Sequence, residues 1–357
     1  MIRFFLPVLI FTTFNQCSRN TARQSSWALL PFVKVDSVNP VLSAGTGKFF
    51  CPVRKDTVSW EEKDVFNPAA VIHNSKIYLL YRAEDRIGRH AGTSRLGLAE
   101  SDDGLHFTRL PQPVLYPDND SLLRYEWEGG VEDPRIVKSP DGRYILTYTA
   151  YDGKIARLML ATSTDLRSWH KYGPVLQGKF RDTWSKSGVV VAEEQGGQLI
   201  ARLINGKYWM YFGDTDIFMA HSNDLLHWEP LTENGELKPV LKPRKGYFDS
   251  RLVEPGPVAL LGAGGILLLY NGMNLDKGGD ERLAPGTYAG GQALFSRDDP
   301  TLLIDRLENY FIVPDKPYEL TGQVNRVCFI EGLVFFKEKW YLYYGTADSH
   351  IAVAVKH

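Results

Sequence analysis

Five short runs of aromatic and apolar residues recur along this 357-residue chain and constrain its fold more than any other feature. Each run is bounded by Gly, Asp, Asn or Pro, which is typical of strands between turns, and no long helical period appears. The runs are KIYLLY (76–81), YILTY (144–148), YWMYF (208–212), ILLLY (266–270) and WYLYY (340–344). The chain is therefore predicted to be all-β.

A second strand that holds small residues follows each aromatic run after a variable loop. These second strands begin LGLAES (96–101), LMLATS (158–163), IFMAHS (217–222), AGGQALF (289–295) and IAVAV (351–355). A small sheet of this kind cannot bury both faces alone, so five stacked copies predict a five-bladed β-propeller spanning residues 33–357. An open β-sandwich array is the alternative. The last repeat stops one strand short, and we expect the segment around residues 49–60 to supply that strand.

The N-terminus has the pattern of an export signal. A positive charge at Arg3 precedes an apolar run from Phe4 to Phe14, which is too short to span a bilayer but fits a secretory signal. Cys17 directly behind this run suggests lipid attachment, with plain secretion as the alternative. We therefore expect a signal peptide over residues 1–17, a tether over 18–32, and an exported protein of the bacterial periplasm or cell surface. Membrane contact is expected only through Cys17.

Composition excludes several function classes. The formal net charge is −1, so no basic face for nucleic acid is indicated. The eight His residues show no HExxH spacing and no nucleotide fingerprint is present in a suitable context, so neither a catalytic metal nor another cofactor is implied. Cys51 and Cys328 either pair after export or remain two separate buried thiols, because connectivity cannot be read from sequence.

Charged residues recur at equivalent points of the repeats. The segment GGVEDPRI (129–136) places Glu132, Asp133 and Arg135 beside two glycines and a proline, which favours an edge or loop position. Loops at one end of a propeller converge on its central channel, so residues far apart in sequence can share a pocket. The other repeats contribute Asn67, Arg82, Lys186, Asp214, Arg251, Glu254 and Asp348.

Seven motifs together resemble glycoside hydrolase family 130. They are FNPA (66–69), YR (81–82), SRLGLAES (94–101), GVEDPRI (130–136), INGKYWMY (204–211), VEPGP (253–257) and YYGTAD (343–348). The resemblance runs from about Phe66 to Val355. It implies a five-bladed propeller that acts on β-mannosides with inversion, in a family that contains both phosphorylases and hydrolases. It also implies that Asp133 is the general acid, whose proton is thought to pass through a sugar hydroxyl.

Two departures from the phosphorylase pattern favour a hydrolase. In the phosphorylases that this chain resembles, the third-blade strand typically ends in His-Arg, whereas this chain has Gly213-Asp214 there. The phosphorylases also have a Gly-rich segment in the fourth blade, where this chain has the sequence VEPG (253–256). A phosphate nucleophile needs converging cations, whereas a hydrolase needs a carboxylate that deprotonates water. We therefore expect hydrolysis of β-mannosidic linkages, with β-1,2-linked mannan as a candidate substrate. Glu254 is the first choice for the base and Asp214 the second.

The remaining charged residues are expected to bind substrate. Glu132 and Arg135 are expected to hold sugar hydroxyls or to orient the acid. Hydrogen bonds to the sugar on the non-reducing side of the cleaved bond are assigned to Asn67, Arg82, Lys186 and Asp348, and Arg95 and Arg251 are further candidates for substrate binding. For Arg95 and Arg251 the alternatives are a strand-face ion pair and a surface charge, and for Tyr288 stacking on a sugar competes with an ordinary loop aromatic. Three other functions remain open: a mannoside phosphorylase, a non-catalytic glycan-binding propeller, and a five-bladed glycosidase acting on arabinan or fructan.

Overall fold

The computed structural model describes residues 25–90 and 92–357. The expected signal peptide, Cys17 and the first part of the expected tether lie outside these residues. No helix in the described part is long and apolar enough to cross a membrane. Strands dominate these residues, and the two α-helices found among them have four residues each, so the all-β prediction is confirmed.

The strands follow one another in chain order as five successive sheets. Three short strands come first: β1 (Val33–Lys34), β2 (Lys48–Cys51) and β3 (Asp56–Ser59). The first blade contains β4 (Asp64–His73), β5 (Lys76–Glu84), β6 (Ser94–Ser101) and β7 (Thr108–Arg109). After helix α1 (Leu123–Glu126), the second blade contains β8 (Gly130–Lys138), β9 (Tyr144–Tyr151), β10 (Ala156–Ser163) and β11 (His170–Pro174).

The remaining blades repeat this order with insertions. A 3₁₀ turn (Gly178–Phe180) precedes the third blade, which contains β12 (Val189–Gln195), β13 (Gln198–Ala201), β14 (Tyr208–Phe212), β15 (Ile217–Ser222), β16 (Trp228–Pro230), β17 (Thr232–Glu233), β18 (Glu236–Leu237) and β19 (Pro239–Leu241). The fourth contains β20 (Leu252–Gly262), β21 (Gly265–Met273), β22 (Tyr288–Phe295) and β23 (Leu303–Arg306). After α2 (Pro317–Leu320), the fifth contains β24 (Cys328–Phe336), β25 (Lys339–Thr346) and β26 (His350–Lys356).

The first strands of the five sheets contact one another in a closed order. Strand β4 lies against β8, β8 against β12, β12 against β20, β20 against β24, and β24 against β4. In each blade the inner strand pairs antiparallel with the strand that holds the predicted aromatic run; these aromatic strands are β5, β9, β14, β21 and β25. These neighbour relations are those expected of a five-bladed propeller whose inner strands surround a central channel.

The strand that completes the fifth blade differs from the expectation. Residues around 49–60 form their own hairpin, β2 with β3, in which Phe49 faces Val58. It is β1 that pairs with β26, with Val33 opposite Val355. The expectation that residues 49–60 close the ring was therefore wrong. A two-residue strand carries no periodic signal, so its pairing could not be read from the sequence.

Residues 25–32, which the sequence analysis assigned to a tether, lie against the fourth and fifth blades. The indole of Trp27 donates to Asp305 at 2.7 Å. The backbone N–H of Leu29 donates to the Gln292 side chain at 2.8 Å, and that side chain donates back to the Leu29 carbonyl at 2.9 Å. Trp27, Leu29 and Phe32 also pack against the apolar core.

The two cysteines that the structure describes are free and buried in different parts of the core. Cys51 packs in the cluster between blades one and five, and Cys328 in the cluster that joins blades two to five. Of the two alternatives left open by the sequence, separate buried thiols is the one observed.

Irregularities near the starts of the inner strands position the site. The pairing register shifts at Phe66/Pro68 in β4, at Glu132/Arg135 in β8, and at Ile330/Gly332 in β24. A bulge re-aims the side chains beside it. Asn67 and Asp133 lie within two of these shifts with φ of 47° and 46°, a left-handed conformation that is strained for residues other than glycine.

Candidate active site

A cavity of about 130 Å³ opens at the end of the channel where the inner strands begin. All five blades contribute to its wall. The lining residues are Asn67, Arg82, Asp133, Lys186, Glu254, Tyr288, Val324, Val327, Phe329 and Asp348. Six charged or amide residues predicted from the repeats are therefore brought together, including Asp133 and Glu254.

Asp133 is surrounded by donors. Its Oδ1 accepts from Asn67 at 3.0 Å and from Arg82 at 3.1 Å, and its Oδ2 lies 3.6 Å from the Lys186 ammonium. Burial opposes ionisation of this carboxyl, but Arg82, Lys186, Arg135 and the Asn67 hydrogen bond together outweigh burial and hold the pKa of Asp133 below its usual range. In the free site Asp133 is therefore ionised at neutral pH.

Arg82 is fully engaged by carboxylates. Besides Asp133 it donates to Glu84 at 2.7 Å and to Glu132 at 3.1 Å, and its guanidinium lies 4.7 Å from the centre of the Phe66 ring. Glu132 does not line the cavity. It lies behind Arg82, where burial raises its pKa to about 7 against the opposing effect of Arg82. Of the two roles expected for Glu132, the contacts fit orientation of the site rather than contact with sugar.

Glu254 is a poorly compensated carboxyl of the cavity wall. Its Oε1 accepts a short hydrogen bond from the Ser187 hydroxyl, at 2.5 Å. Among the described residues no other group donates to this side chain. Burial raises the pKa of Glu254 to about 7, although Lys186 acts in the opposite direction. Burial likewise raises the pKa of Asp348 to about 7, opposed mainly by Arg82.

Arg135 does not line the cavity, so of its two expected roles its contacts fit orientation of the acid and not contact with sugar. Its side chain is 2% exposed and donates to the backbone carbonyls of Asp133, Pro255 and Gly256 at 2.9 to 3.1 Å. It also donates to Glu331 at 2.6 Å. Arg135 therefore ties the strand that carries Asp133 to the strand that carries Glu254.

Glu331 is a site residue that sequence reasoning missed. It is 1% exposed, and its Oε2 atom has no hydrogen-bond partner among the described residues. Burial raises the pKa of Glu331 well above its ordinary value despite the pairing with Arg135. The signal that could have found it is its position: it lies at the register shift of β24, as Asn67 does in β4.

Two further expectations for arginines are corrected by the structure. Arg95 is buried and donates to Asp85 at 2.7 Å and to the Thr93 carbonyl at 3.0 Å, away from the cavity. Arg251 is an exposed side chain whose partner, at 3.8 Å, is Asp276. These are the ion pair and the surface charge that the sequence left as alternatives.

Asp214, the second choice for the base, is not among the cavity-lining residues. Its Oδ2 accepts from the indole N–H of Trp184 at 2.6 Å. Although Asp214 does not line the cavity, its negative charge contributes to the raised pKa of Glu254.

One wall of the cavity is apolar and was not predicted as a unit. Tyr288 meets Phe329 edge to face, with ring centroids 6.1 Å apart, and Val324 and Val327 lie beside them. Tyr288 thus lines the cavity, and its stacking on a sugar stays a prediction. Val324 and Val327 come from the connection between α2 and β24, where no motif marked them.

Comparison with known proteins now assigns the chain to a family. Residues 46–357 match the family model described as beta-1,4-mannooligosaccharide phosphorylase, with the family name Glyco_hydro_130. The chain belongs to glycoside hydrolase family 130. The resemblance read from the motifs is therefore confirmed.

Curated relatives and solved structures of this family give two kinds of neighbour. The chain is 34% identical over 304 residues to a 1,2-beta-oligomannan phosphorylase of Thermoanaerobacter sp. (strain X514), covering 83% of this chain and 90% of the relative. A glycosyl hydrolase structure from Bacteroides ovatus has 48% identity and a TM-score of 0.90, covering 93% of this chain and 95% of that chain.

A third neighbour has 46% identity and a TM-score of 0.91, covering 94% of this chain and 96% of that chain. It is described by the statement that the family of mannoside phosphorylases contains glycoside hydrolases that target beta-1,2 mannosidic linkages in Candida mannan. Family 130 enzymes thus act on β-mannosidic linkages, and both phosphorylases and hydrolases stand among the neighbours of this chain.

Proposed function

We propose that this protein is an inverting hydrolase of β-mannosidic linkages, in which water attacks the sugar carbon. The observation that carries the proposal is the carboxyl of Glu254 in the cavity wall. It is held on one oxygen by Ser187, and its other oxygen is free of protein donors among the described residues. Such a carboxylate can accept a proton from water, as inverting glycosidases require.

The charge balance of the cavity supports water over phosphate as the nucleophile. The two cations in the wall, Arg82 and Lys186, both face Asp133, and Arg82 is further occupied by Glu84 and Glu132. A bound phosphate needs several uncommitted cationic donors. In their ionised forms Glu254 and Asp348 would instead repel it, and two unit charges about 4 Å apart interact by roughly 4 kcal/mol at an effective dielectric constant of 20.

The two carboxyls at the centre of the proposal have opposite environments, which suits an acid and a base. Following the family resemblance, Asp133 is the acid and Glu254 the base. In the free site burial raises the pKa of Glu254 to about 7, while Arg82 and Lys186 outweigh burial and lower the pKa of Asp133. This order is the reverse of the one expected for an Asp133 acid and a Glu254 base, so the reversed assignment, with Glu254 as acid and Asp133 as base, is the alternative that the kinetics of the two variants must decide.

Phosphorolysis is the second candidate function, because the curated relatives at 34% and 30% identity are phosphorylases. The decisive experiment incubates the purified protein with β-1,2-linked and β-1,4-linked mannooligosaccharides in phosphate-free buffer and in buffer with added phosphate. Proton NMR of the products then separates α-mannose from α-mannose 1-phosphate. Release of mannose at an equal rate without phosphate is expected. Turnover that depends strictly on phosphate would replace hydrolysis by phosphorolysis.

Expected export agrees with hydrolysis. If residues 1–17 direct secretion, a sugar phosphate formed outside the cell would be lost to metabolism. Free mannose and shortened oligosaccharides are products that suit an extracellular degradative enzyme. Fractionation of the native host cells with an antibody against the protein tests this part independently: cytoplasmic protein would contradict it.

A further inference from the structure

The cavity is too small for an oligosaccharide. Its volume of about 130 Å³ lies well below the roughly 300–1,000 Å³ of sites that enclose drug-sized ligands. One sugar ring can lie among Asp133, Glu254 and the apolar wall, so any further sugar must rest on the rim.

The rim carries a large aromatic side chain close to the catalytic residues. Trp184 is 49% exposed and lies two positions before Lys186, which lines the cavity. The intervening Ser185 is buried and anchored to blade two. Its N–H donates to the Ala156 carbonyl, and its hydroxyl accepts from the Leu158 N–H, both at 3.0 Å. The exposed ring is therefore joined directly to the floor of the site.

Two contacts hold the Trp184 ring in one orientation. Its indole N–H donates to Asp214 at 2.6 Å, and its edge meets Tyr151 with centroids 6.2 Å apart. Tyr151 in turn contacts His90 with centroids 5.7 Å apart. The loop that carries Asp214 is tied to the same segment, because Gly213 N–H donates to the Lys186 carbonyl at 2.9 Å. A half-exposed aromatic fixed in this way is a preorganised platform, which loses little entropy on binding.

We propose that Trp184, held by Asp214 and Tyr151, forms a stacking subsite for the sugar that adjoins the scissile linkage on the leaving-group side of a β-linked mannooligosaccharide. The apolar C–H face of a pyranose ring lies on the indole, while its hydroxyls reach the polar rim. The identity of the ligand rests on the proposed function. Asp214 is then a positioning residue for Trp184 and not the base.

Binding is measured in a background that cannot turn over, Glu254→Gln, by calorimetric titration with β-1,2-linked mannotriose and with methyl β-mannoside. Adding Trp184→Ala is expected to lower the ratio of trisaccharide to monosaccharide affinity by about 3- to 10-fold, which corresponds to the loss of about 0.7–1.4 kcal/mol of binding free energy. Trp184→Phe, which keeps a ring but not the N–H, is expected to lose less, and Asp214→Asn to lose part of the same ratio. The matched control is Tyr172→Ala, an exposed aromatic on β11 away from the cavity, with an unchanged ratio.

An unchanged ratio in both Trp184 variants would overturn the subsite. This failure is distinct from failure of the proposed function, because binding without turnover does not depend on whether water or phosphate attacks. If the Glu254→Gln protein binds neither sugar, the site assignment and the subsite both fall.

Discussion

Replacing Glu254 by Gln is expected to stabilise the folded protein at alkaline pH while it removes activity. The carboxyl is 5% exposed and burial raises its pKa to about 7 from an ordinary value of 4.5. Because the folded-state pKa is raised, the native state binds the proton more tightly than the unfolded state does. The favourable contribution is therefore complete below pH 4.5 and is lost as pH rises through about 7.

The magnitude follows from the shift. The pKa of Glu254 rises from 4.5 in the unfolded chain to about 7 in the folded protein. Each tenfold change in proton affinity corresponds to about 1.4 kcal/mol. Ionised Glu254 thus destabilises the fold by on the order of 3 kcal/mol at pH 8, where a neutral Gln of the same shape does not. The Gln carbonyl can still accept from Ser187, so the hydrogen bond at that position is retained.

Urea unfolding of the parent and the variant at pH 5 and pH 8 tests this reasoning. The gain in unfolding free energy is expected to be about 2–3 kcal/mol larger at pH 8 than at pH 5. Glu308→Gln, at an exposed position, is the control, with an effect within about 0.5 kcal/mol at both pH values. A gain that is equal at the two pH values, or a loss at pH 8, would refute a buried, poorly compensated carboxyl at residue 254.

Three further outcomes are expected. Asp133→Asn should lower kcat on unactivated mannooligosaccharides by about 10²–10⁴-fold yet retain much of its rate on a β-mannoside with a dinitrophenyl leaving group, which needs no acid; if Glu254→Gln shows this rescue instead, steady-state kinetics assign the acid to Glu254. Glu331→Ala should destabilise the fold by about 3–5 kcal/mol in urea, because it leaves Arg135 buried without its carboxylate; a loss below about 1 kcal/mol would contradict the pairing. Arg251→Ala should leave kcat/KM within about 2-fold, whereas Arg82→Lys should lower kcat/KM at least about 10-fold. The reason is that Arg82 pairs with Asp133 in the cavity, whereas Arg251 pairs with Asp276 at the surface. Equal effects of the two substitutions would contradict this placement.

Much of the candidate site was predictable because the repeats mark equivalent positions. Asn67, Arg82, Lys186 and Asp348 were singled out only by their place after or within a repeated strand, and all four line the cavity. Closed repetition makes equivalent sequence positions meet at one end of the channel, so local patterns carried information about distant contacts.

The direction in which each arginine points was not predictable. Arg82 and Arg135 both stand among charged residues in motifs of the family, yet Arg82 borders the cavity and Arg135 is enclosed by backbone carbonyls and Glu331. The register shift between Glu132 and Arg135 decides the difference, because one extra residue in a strand changes the face on which the following side chain lies.

The sequence by itself determined the all-β class, the five aromatic strands and the set of charged residues at their ends, because strand periodicity and turn chemistry are local properties. Only the tertiary structure decided that β1 completes the fifth blade, that Arg95 and Arg251 stand outside the site, and that Val324 and Val327 belong to it. Those features depend on which surfaces meet when the ring closes and on how far each carboxyl is removed from water. Neither the surfaces that meet nor the burial of a carboxyl can be predicted from the order of residues along one strand.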